Sequence, residues 1–263
     1  MDLKIGNKIA LVTASSKGLG KAVAMKLAEE GAIVNICSRN EADINHTCEE
    51  ISTKTGAVTR AYVTDVTDND QVQKMMDKIV SEFGKVDILI CNAGGPPSGM
   101  HGDFSPNDYR KAVELNLLST VNLCYSVLPY MKKNKWGRII NITSVSAKQP
   151  LGNLILSNTS RAGVLGFAKS LSNQVASDGV TVNCVCPGYT MTDRVRNLAK
   201  AFEAGKKGTE EDFFINIRKA IPMNRIGTPE EFADTVCFLA SEGAGYITGV
   251  SLQIDGGLIQ GLF

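Results

Sequence analysis

The residues Thr13-Ala14-Ser15-Ser16-Lys17-Gly18-Leu19-Gly20 place small side chains and two glycines between a short apolar run and a stretch of good helix formers. At such a turn the backbone N–H groups can approach a phosphate, and the helix that follows adds the positive end of its dipole, so the segment suits a pyrophosphate. Glycine serves any tight strand-to-helix turn, and the turn by itself carries little weight. The next apolar run ends in Ser38-Arg39, about 20 residues after the glycines, where an NAD-binding chain places a carboxylate for the ribose 2′-hydroxyl. Here Ser38 is neutral, Arg39 is a cation, and Lys17 adds a second cation from the turn. That set suits a 2′-phosphate and favours NADP(H) over NAD(H). The competing reading is two solvated surface cations.

Three further polar segments follow apolar runs: Asp65-Val66, Asn92-Ala93-Gly94-Gly95, and Pro187-Gly188-Tyr189-Thr190-Met191-Thr192. The runs themselves fall at 9–12, 33–37, 58–63, 86–91, 138–142, 181–185 and 251–254, each bounded by Gly, Asp, Asn or Pro, and read as buried strands. Helical-period segments separate them at 18–30, 41–53, 70–83, 106–132, 157–176 and 229–239. Strict alternation predicts an α/β fold, a doubly wound parallel sheet of about seven strands with right-handed crossovers and helices on both faces. The polar segments then gather at the carboxyl ends of the strands, where open α/β sheets bind ligands.

The 263 residues carry 28 Lys and Arg against 27 Asp and Glu, a net charge of +1, which offers no field for nucleic acid or an anionic membrane surface. With 43% hydrophobic and 21% charged residues, disorder and coiled coil are excluded, and 1–263 reads as one domain without linker or repeat. The seven cysteines form no CxxC pair, and His46 and His101 stand far apart, so no zinc site assembles by spacing; small buried hydrophobes in a reducing compartment are expected. No apolar stretch approaches a membrane span, no signal-peptide core follows Met1, and a cytoplasmic protein is expected. Segments 106–132 and 157–176 are apolar beyond a single stripe, which points to a homo-oligomer, dimer or tetramer, paired through these helices, over the alternative of helices sunk deeper within their own domain. Segment 193–221 breaks the alternation and reads as a lid over a small-molecule substrate.

Taken together, these motifs resemble the short-chain dehydrogenase/reductase family over nearly the whole chain, in a branch similar to 3-oxoacyl-[acyl-carrier-protein] reductases. Thr13 to Gly20 stand for its TGxxxGxG turn, Asp65 for the adenine contact, and Asn92-Ala93-Gly94 for NNAG. Asn116 stands for the helix asparagine, Ser144 for the active-site serine, and Pro187-Gly188 with Thr192 for the nicotinamide loop. Ala14 replaces the first glycine and Cys91 the first asparagine. The resemblance implies a Rossmann fold, an oxidoreductase acting between carbonyl and alcohol, tetrameric assembly, and a cofactor site formed by Thr13, Ser15, Ser16, Lys17, Gly18, Leu19, Gly20, Ser38, Arg39, Asp65, Val66, Asn92, Ala93, Gly94, Arg161, Pro187, Gly188, Thr190 and Thr192.

The catalytic positions depart from the pattern. Family members place a tyrosine thirteen residues after the serine and a lysine four further on. Here those positions hold Ser157 and Arg161, and no tyrosine lies between Tyr130 and Tyr189. A phenol near an ammonium can be tuned towards neutrality, whereas an aliphatic hydroxyl is a far weaker acid and arginine stays protonated. Asn116, Ser144, Ser157 and Arg161 are therefore the expected catalytic set, more complete in binding than in proton transfer. His101, Lys148 and Tyr189 are candidate substitute acids. The alternative is a weak or inactive nucleotide-binding scaffold or redox sensor.

Overall fold

The protein is described here by a computed structural model, covering residues 2–262. Seven strands, β1 (Ile9–Val12), β2 (Ile33–Ser38), β3 (Thr59–Val63), β4 (Ile88–Cys91), β5 (Gly137–Ile142), β6 (Val180–Pro187) and β7 (Ser251–Ile254), form one parallel sheet in the order β3-β2-β1-β4-β5-β6-β7. All seven expected runs are strands, with ends shifted by at most two residues. Val12 pairs with Ile36 on one side and Ile90 on the other. The strand order reverses across the β1–β4 pair, which opens a crevice above the carboxyl ends of these two strands.

Alternation along each strand divides the core. Ala10, Val12, Val34, Ile36, Ile88 and Ile90 face α1 (Gly18–Glu29), α2 (Glu41–Thr55) and the late helix Pro229–Leu239, which contribute Val23, Leu27, Ile44, Ile51, Phe232 and Val236. Leu11, Leu89, Cys91, Ile139 and Val182 face α3 (Asn69–Phe83) and two later helices, which bring Met76, Ile79, Leu123, Val127, Val164 and Leu171. Both faces are buried, which is why the strands read as continuous apolar runs.

The segment expected as one helix over 106–132 is two, α4 (Pro106–Val113) and α5 (Ser119–Asn134), joined by a π-helical turn Glu114–Leu118. Composition does not mark such a turn, because it needs one surplus residue and no particular side chain. Next come α6 (Ile155–Val175), which starts two residues before the expected boundary, and the pair α7 (Asp193–Ala204) and α8 (Glu210–Ala220), which resolves the irregular 193–221 stretch; Pro229–Leu239 is α9. On α5, Leu118 immediately before the helix is 41% exposed and Tyr125 71% exposed, whereas Val164, Ala168 and Leu171 on α6 are buried. Six cysteines are buried and Cys48 is half-buried; burial pushes the Cys37 and Cys184 thiols up to about 12, as inert core thiols should be. Among the described residues no helix is long and apolar enough to cross a membrane.

Candidate active site

At the nucleotide end the turn after β1 is tied directly to the one after β4. Buried Thr13 donates from Oγ1 to the Asn92 carbonyl at 2.7 Å and accepts the Asn92 N–H at 2.9 Å. The Asn92 amide donates in turn to the Ala14 carbonyl at 3.0 Å. Gly20 sits in the middle of this knot: a Cβ there would lie 2.6 Å from the Ala14 oxygen and 2.7 Å from Asn92 Nδ2. Gly18 at φ 59° and Ala14 at φ 46° turn the chain, the second without glycine's freedom. Ser15 spends its hydroxyl on the Val12 carbonyl and the Cys37 N–H, while the Ser16 carbonyl accepts from Thr47. Lys17, exposed, precedes α1, and no side chain caps the helix. The leading N–H groups of α1, from Gly18, Leu19 and Gly20, have no intrahelical acceptor and form a cradle that fits a phosphate.

β2 delivers Ser38 and Arg39 beside that cradle. The Ser38 hydroxyl donates to the Asn40 carbonyl. Arg39 is 79% exposed, with Asp65 4.0 Å away. Asp65 accepts from the Thr67 N–H and hydroxyl, and Val66 behind it is buried. Among the described residues Lys17 makes no ion pair, so two cations are available for an anionic group here. Thr192 closes the cradle from the opposite side, its methyl 3.8 Å from where a Gly18 Cβ would stand.

At the other end of the crevice the polar groups bond mainly to one another. Asn116, buried in the π-turn, donates to the Gly94 carbonyl, beyond Ala93, at 3.1 Å and accepts from Ser160 at 3.1 Å. Ser144 follows β5 and accepts the Ser146 N–H at 3.1 Å. Ser157, 4% exposed, lies 3.2 Å from the Ser146 hydroxyl. Arg161, 8% exposed, donates from Nη1 to the carbonyls of Ile142 and Thr143 at 3.1 and 2.8 Å. Burial, then the charge of Arg194, lowers its pKa to about 10, so it remains a cation at neutral pH. β6 ends at Pro187; Gly188 donates to the Ile254 carbonyl, and a Cβ on it would lie 2.7 Å from the Asp255 side chain. Thr190 is buried and bridges to Gly227.

None of the three candidate acids hydrogen-bonds to Ser144, Ser157 or Arg161. Lys148 donates to the Ser251 carbonyl at 3.2 Å, and exposed His101 is 3.4 Å from the Tyr109 hydroxyl. Burial raises the Tyr189 pKa, the wrong direction for a ready donor. Ser146 and Ser160, which the motifs did not single out, supply the bonds to Ser157 and Asn116. Arg194 was also missed: exposed as a residue, it lays its guanidinium on Gly95, where a Cβ would collide with it. Its trace in the sequence is a cation in the first turn of a helix, against the macrodipole.

Comparisons with known proteins agree with this geometry. Residues 13–259 match the family model described as Enoyl-(Acyl carrier protein) reductase. The 3-oxoacyl-[acyl-carrier-protein] reductase of Chlamydia muridarum is 34% identical over 258 residues, covering 98% of this chain and 100% of the relative. The Escherichia coli enzyme of the same name is 38% identical over 251 residues, covering 95% and 97%. L-sorbose reductase from Gluconobacter frateurii, solved with NADPH and L-sorbose, superposes with a TM-score of 0.96 at 30% identity over 100% of both chains. From the seven-stranded sheet, the turn above β1 and these full-length matches together, the chain belongs to the short-chain dehydrogenase/reductase family.

Proposed function

We propose that the protein is an NADP(H)-dependent oxidoreductase that interconverts a carbonyl and an alcohol, with a site that departs from the family's usual proton donor. The observation that carries this reading is the uncapped α1 N-terminus, closed by Thr192 and flanked by Arg39 and Lys17. Thr13, Ser15, Ser16, Gly18, Leu19 and Gly20 shape the pyrophosphate cradle. Ser38, Arg39 and Lys17 take the 2′-phosphate, Asp65 and Val66 border the adenine, and Asn92, Ala93, Gly94, Pro187, Gly188, Thr190 and Thr192 border the nicotinamide half. Reduced nicotinamide, when bound, supplies a hydride to the carbonyl carbon.

Asn116 and Ser144 orient the substrate side of the crevice, and Arg161 stabilises negative charge growing on the carbonyl oxygen. The Ser157 hydroxyl is too weak an acid to act as a phenol does, so the proton that completes the alcohol is delivered by water held at Ser157 and Ser146. Slow or specialised turnover follows. The relatives named above are 3-oxoacyl-[acyl-carrier-protein] reductases and the solved one an L-sorbose reductase, and a carbonyl compound within that range, including a 3-oxoacyl thioester, is the proposed substrate class. The α7–α8 segment, 193–221, acts as the lid; the α4–α5 and α6 surfaces pair copies into a dimer or tetramer, in the cytoplasm.

The internal bonding of Ser157 and Arg161 favours a second reading, a nucleotide-binding scaffold or redox sensor. NADPH binding by fluorescence, together with NADPH-dependent turnover of ketones, ketoacyl thioesters and sugars, separates the two. The first reading expects both binding and turnover, and a rise of about 10²–10⁴-fold in turnover for Ser157→Tyr/Arg161→Lys, the usual worth of a positioned general acid. NADPH binding with turnover only in the double variant would establish the scaffold instead. No binding of either dinucleotide would overturn both.

A further inference from the structure

The loop after β4 starts at Asn92, which is knotted to the turn after β1, and is caught again at Gly99, whose N–H donates to the Asn153 carbonyl. Over 93–98, among the described residues, its backbone makes a single hydrogen bond, accepted by the Gly94 carbonyl from Asn116 Nδ2 at 3.1 Å. Packing adds little there, since a Cβ on Gly94 would meet nothing within 4 Å. Arg194 touches the next residue, Gly95, but among the described residues gives it no hydrogen bond. The placement of Gly94 therefore depends on the Asn116 amide.

A carbonyl only accepts, so the amide nitrogen must face Gly94 and the amide oxygen must face away from it. That oxygen meets Ser160, whose hydroxyl donates to it at 3.1 Å, and no other donor reaches it among the described residues. Asn116 is 4% and Ser160 1% exposed, so bulk water cannot serve as the donor. The same hydroxyl lies 2.8 Å from the Leu156 carbonyl, one turn back on α6. The helix already supplies that carbonyl with a backbone N–H, whereas the Asn116 oxygen would be left buried and unpaired, which commits the hydroxyl proton to Asn116. We propose that Ser160 is a positioning residue for the nicotinamide end of the crevice: by orienting Asn116 it fixes the loop against which the nicotinamide half of the dinucleotide lies. This rests on the cofactor placement proposed above, in which Ala93 and Gly94 border that half. Without the hydroxyl the amide loses the partner that sets its sense, the loop spends time in other placements, and affinity falls by the fraction of time the competent one is lost. The adenine and 2′-phosphate end, at Asp65, Arg39 and Lys17, lies outside this chain of bonds.

The test compares two ligands of one crevice and needs no turnover. NADPH, and adenosine 2′,5′-bisphosphate, which lacks the nicotinamide half, are titrated calorimetrically into the wild type, Ser160→Ala, Asn116→Ala and the double variant. The emission of bound NADPH and thermal unfolding are recorded for each protein. Ser160→Ala should weaken NADPH binding by about 5–50-fold, the worth of a buried acceptor left unpaired, and bisphosphate binding by less than about twofold. The NADPH it does bind should emit nearer to the wavelength of the free cofactor. With Asn116 already replaced by alanine, Ser160→Ala should change NADPH affinity by less than about twofold, because no amide is left to orient. Were Asn116→Ala to unfold, the ratio of the two affinities in Ser160→Ala still decides. A serine that only supports the fold would lower thermal unfolding and weaken both ligands equally, and that result overturns the proposal. So does an unchanged NADPH affinity, or an equal Ser160→Ala effect in the absence of Asn116. Each of these leaves wild-type NADPH binding intact; a wild type that binds neither ligand overturns the cofactor reading, and the proposal with it.

Discussion

Two arginines at opposite ends of one crevice have little in common beyond their side chain. Arg39 projects into solvent with the Asp65 carboxylate 4.0 Å away, while Arg161 is buried and holds the carbonyls of Ile142, the last residue of β5, and of Thr143 just beyond it. The fold engages the first little, and it adds little to folding; the second braces the end of β5. A charged group is free to recognise a partner to the extent that the fold has not already used its donors.

The comparison breaks most visibly under a common substitution. Arg161→Ala leaves a void and two carbonyls without their donor, offset in part by removing a desolvated charge, and should lower unfolding stability by about 2–4 kcal/mol. Arg39→Ala should stay within about 0.5 kcal/mol of the wild type. Urea denaturation of both variants is decisive, and equal losses would erase the distinction. The same Arg39→Ala protein should lose about 10–100-fold of its preference for NADPH over NADH, measured by titration of the two dinucleotides; an unchanged preference would mean that Arg39 is merely a solvated cation.

A smaller effect comes from the carboxylate that braces the cofactor end. Hydrogen bonds from Lys21, then Lys54, hold the Glu50 carboxyl down to about 2 from its ordinary 4.5. A depressed pKa contributes stability above pH 4.5, and that contribution is lost as pH falls from about 4.5 towards 2. With Lys21 and Glu50 side chains 30% and 22% exposed, screening limits the pair to about 0.5–1 kcal/mol. Lys21→Ala should therefore be less stable than the wild type at pH 6 and converge with it near pH 2, followed by urea midpoints at each pH. Smallest of all, Ala14→Gly should raise stability by about 0.5 kcal/mol, because relief of the left-handed conformation at φ 46° slightly exceeds glycine's entropic penalty. A decrease would show that the alanine methyl packs usefully in the turn.

Much of the nucleotide end was legible because its signals are local. Strand, glycine turn and helix follow one another within Ile9 to Glu29, and the pairing of Ser38 with Arg39 needs only the end of β2. The catalytic end was legible as an absence, since counting from Ser144 is enough to find Ser157 and Arg161. What those residues touch was not legible. Ser157 meets Ser146 eleven positions away and Arg161 meets Ile142 and Thr143, at and just past the end of β5, nineteen and eighteen positions away, contacts that exist only once α6 is docked on the sheet. Arg194 on Gly95 spans a still longer separation and depends on where α7 lies. His101, chemically the most apt acid in the sequence, faces solvent beside Tyr109.

The π-turn at Glu114–Leu118 gives this chain slack at one place among the described residues. Removing a residue from an ordinary helix swings everything after it by about 100°, and along α5 that would turn Leu123, Cys124, Val127 and Met131 off the sheet. A π-turn already contains one residue too many, so a deletion inside it would let the coil close to regular pitch and leave the downstream face in phase. The core would survive such a shortening. What would go is the placement of Asn116 under the Gly94 carbonyl, which makes this turn a spot where evolution or an engineer could switch off the crevice without unfolding the molecule.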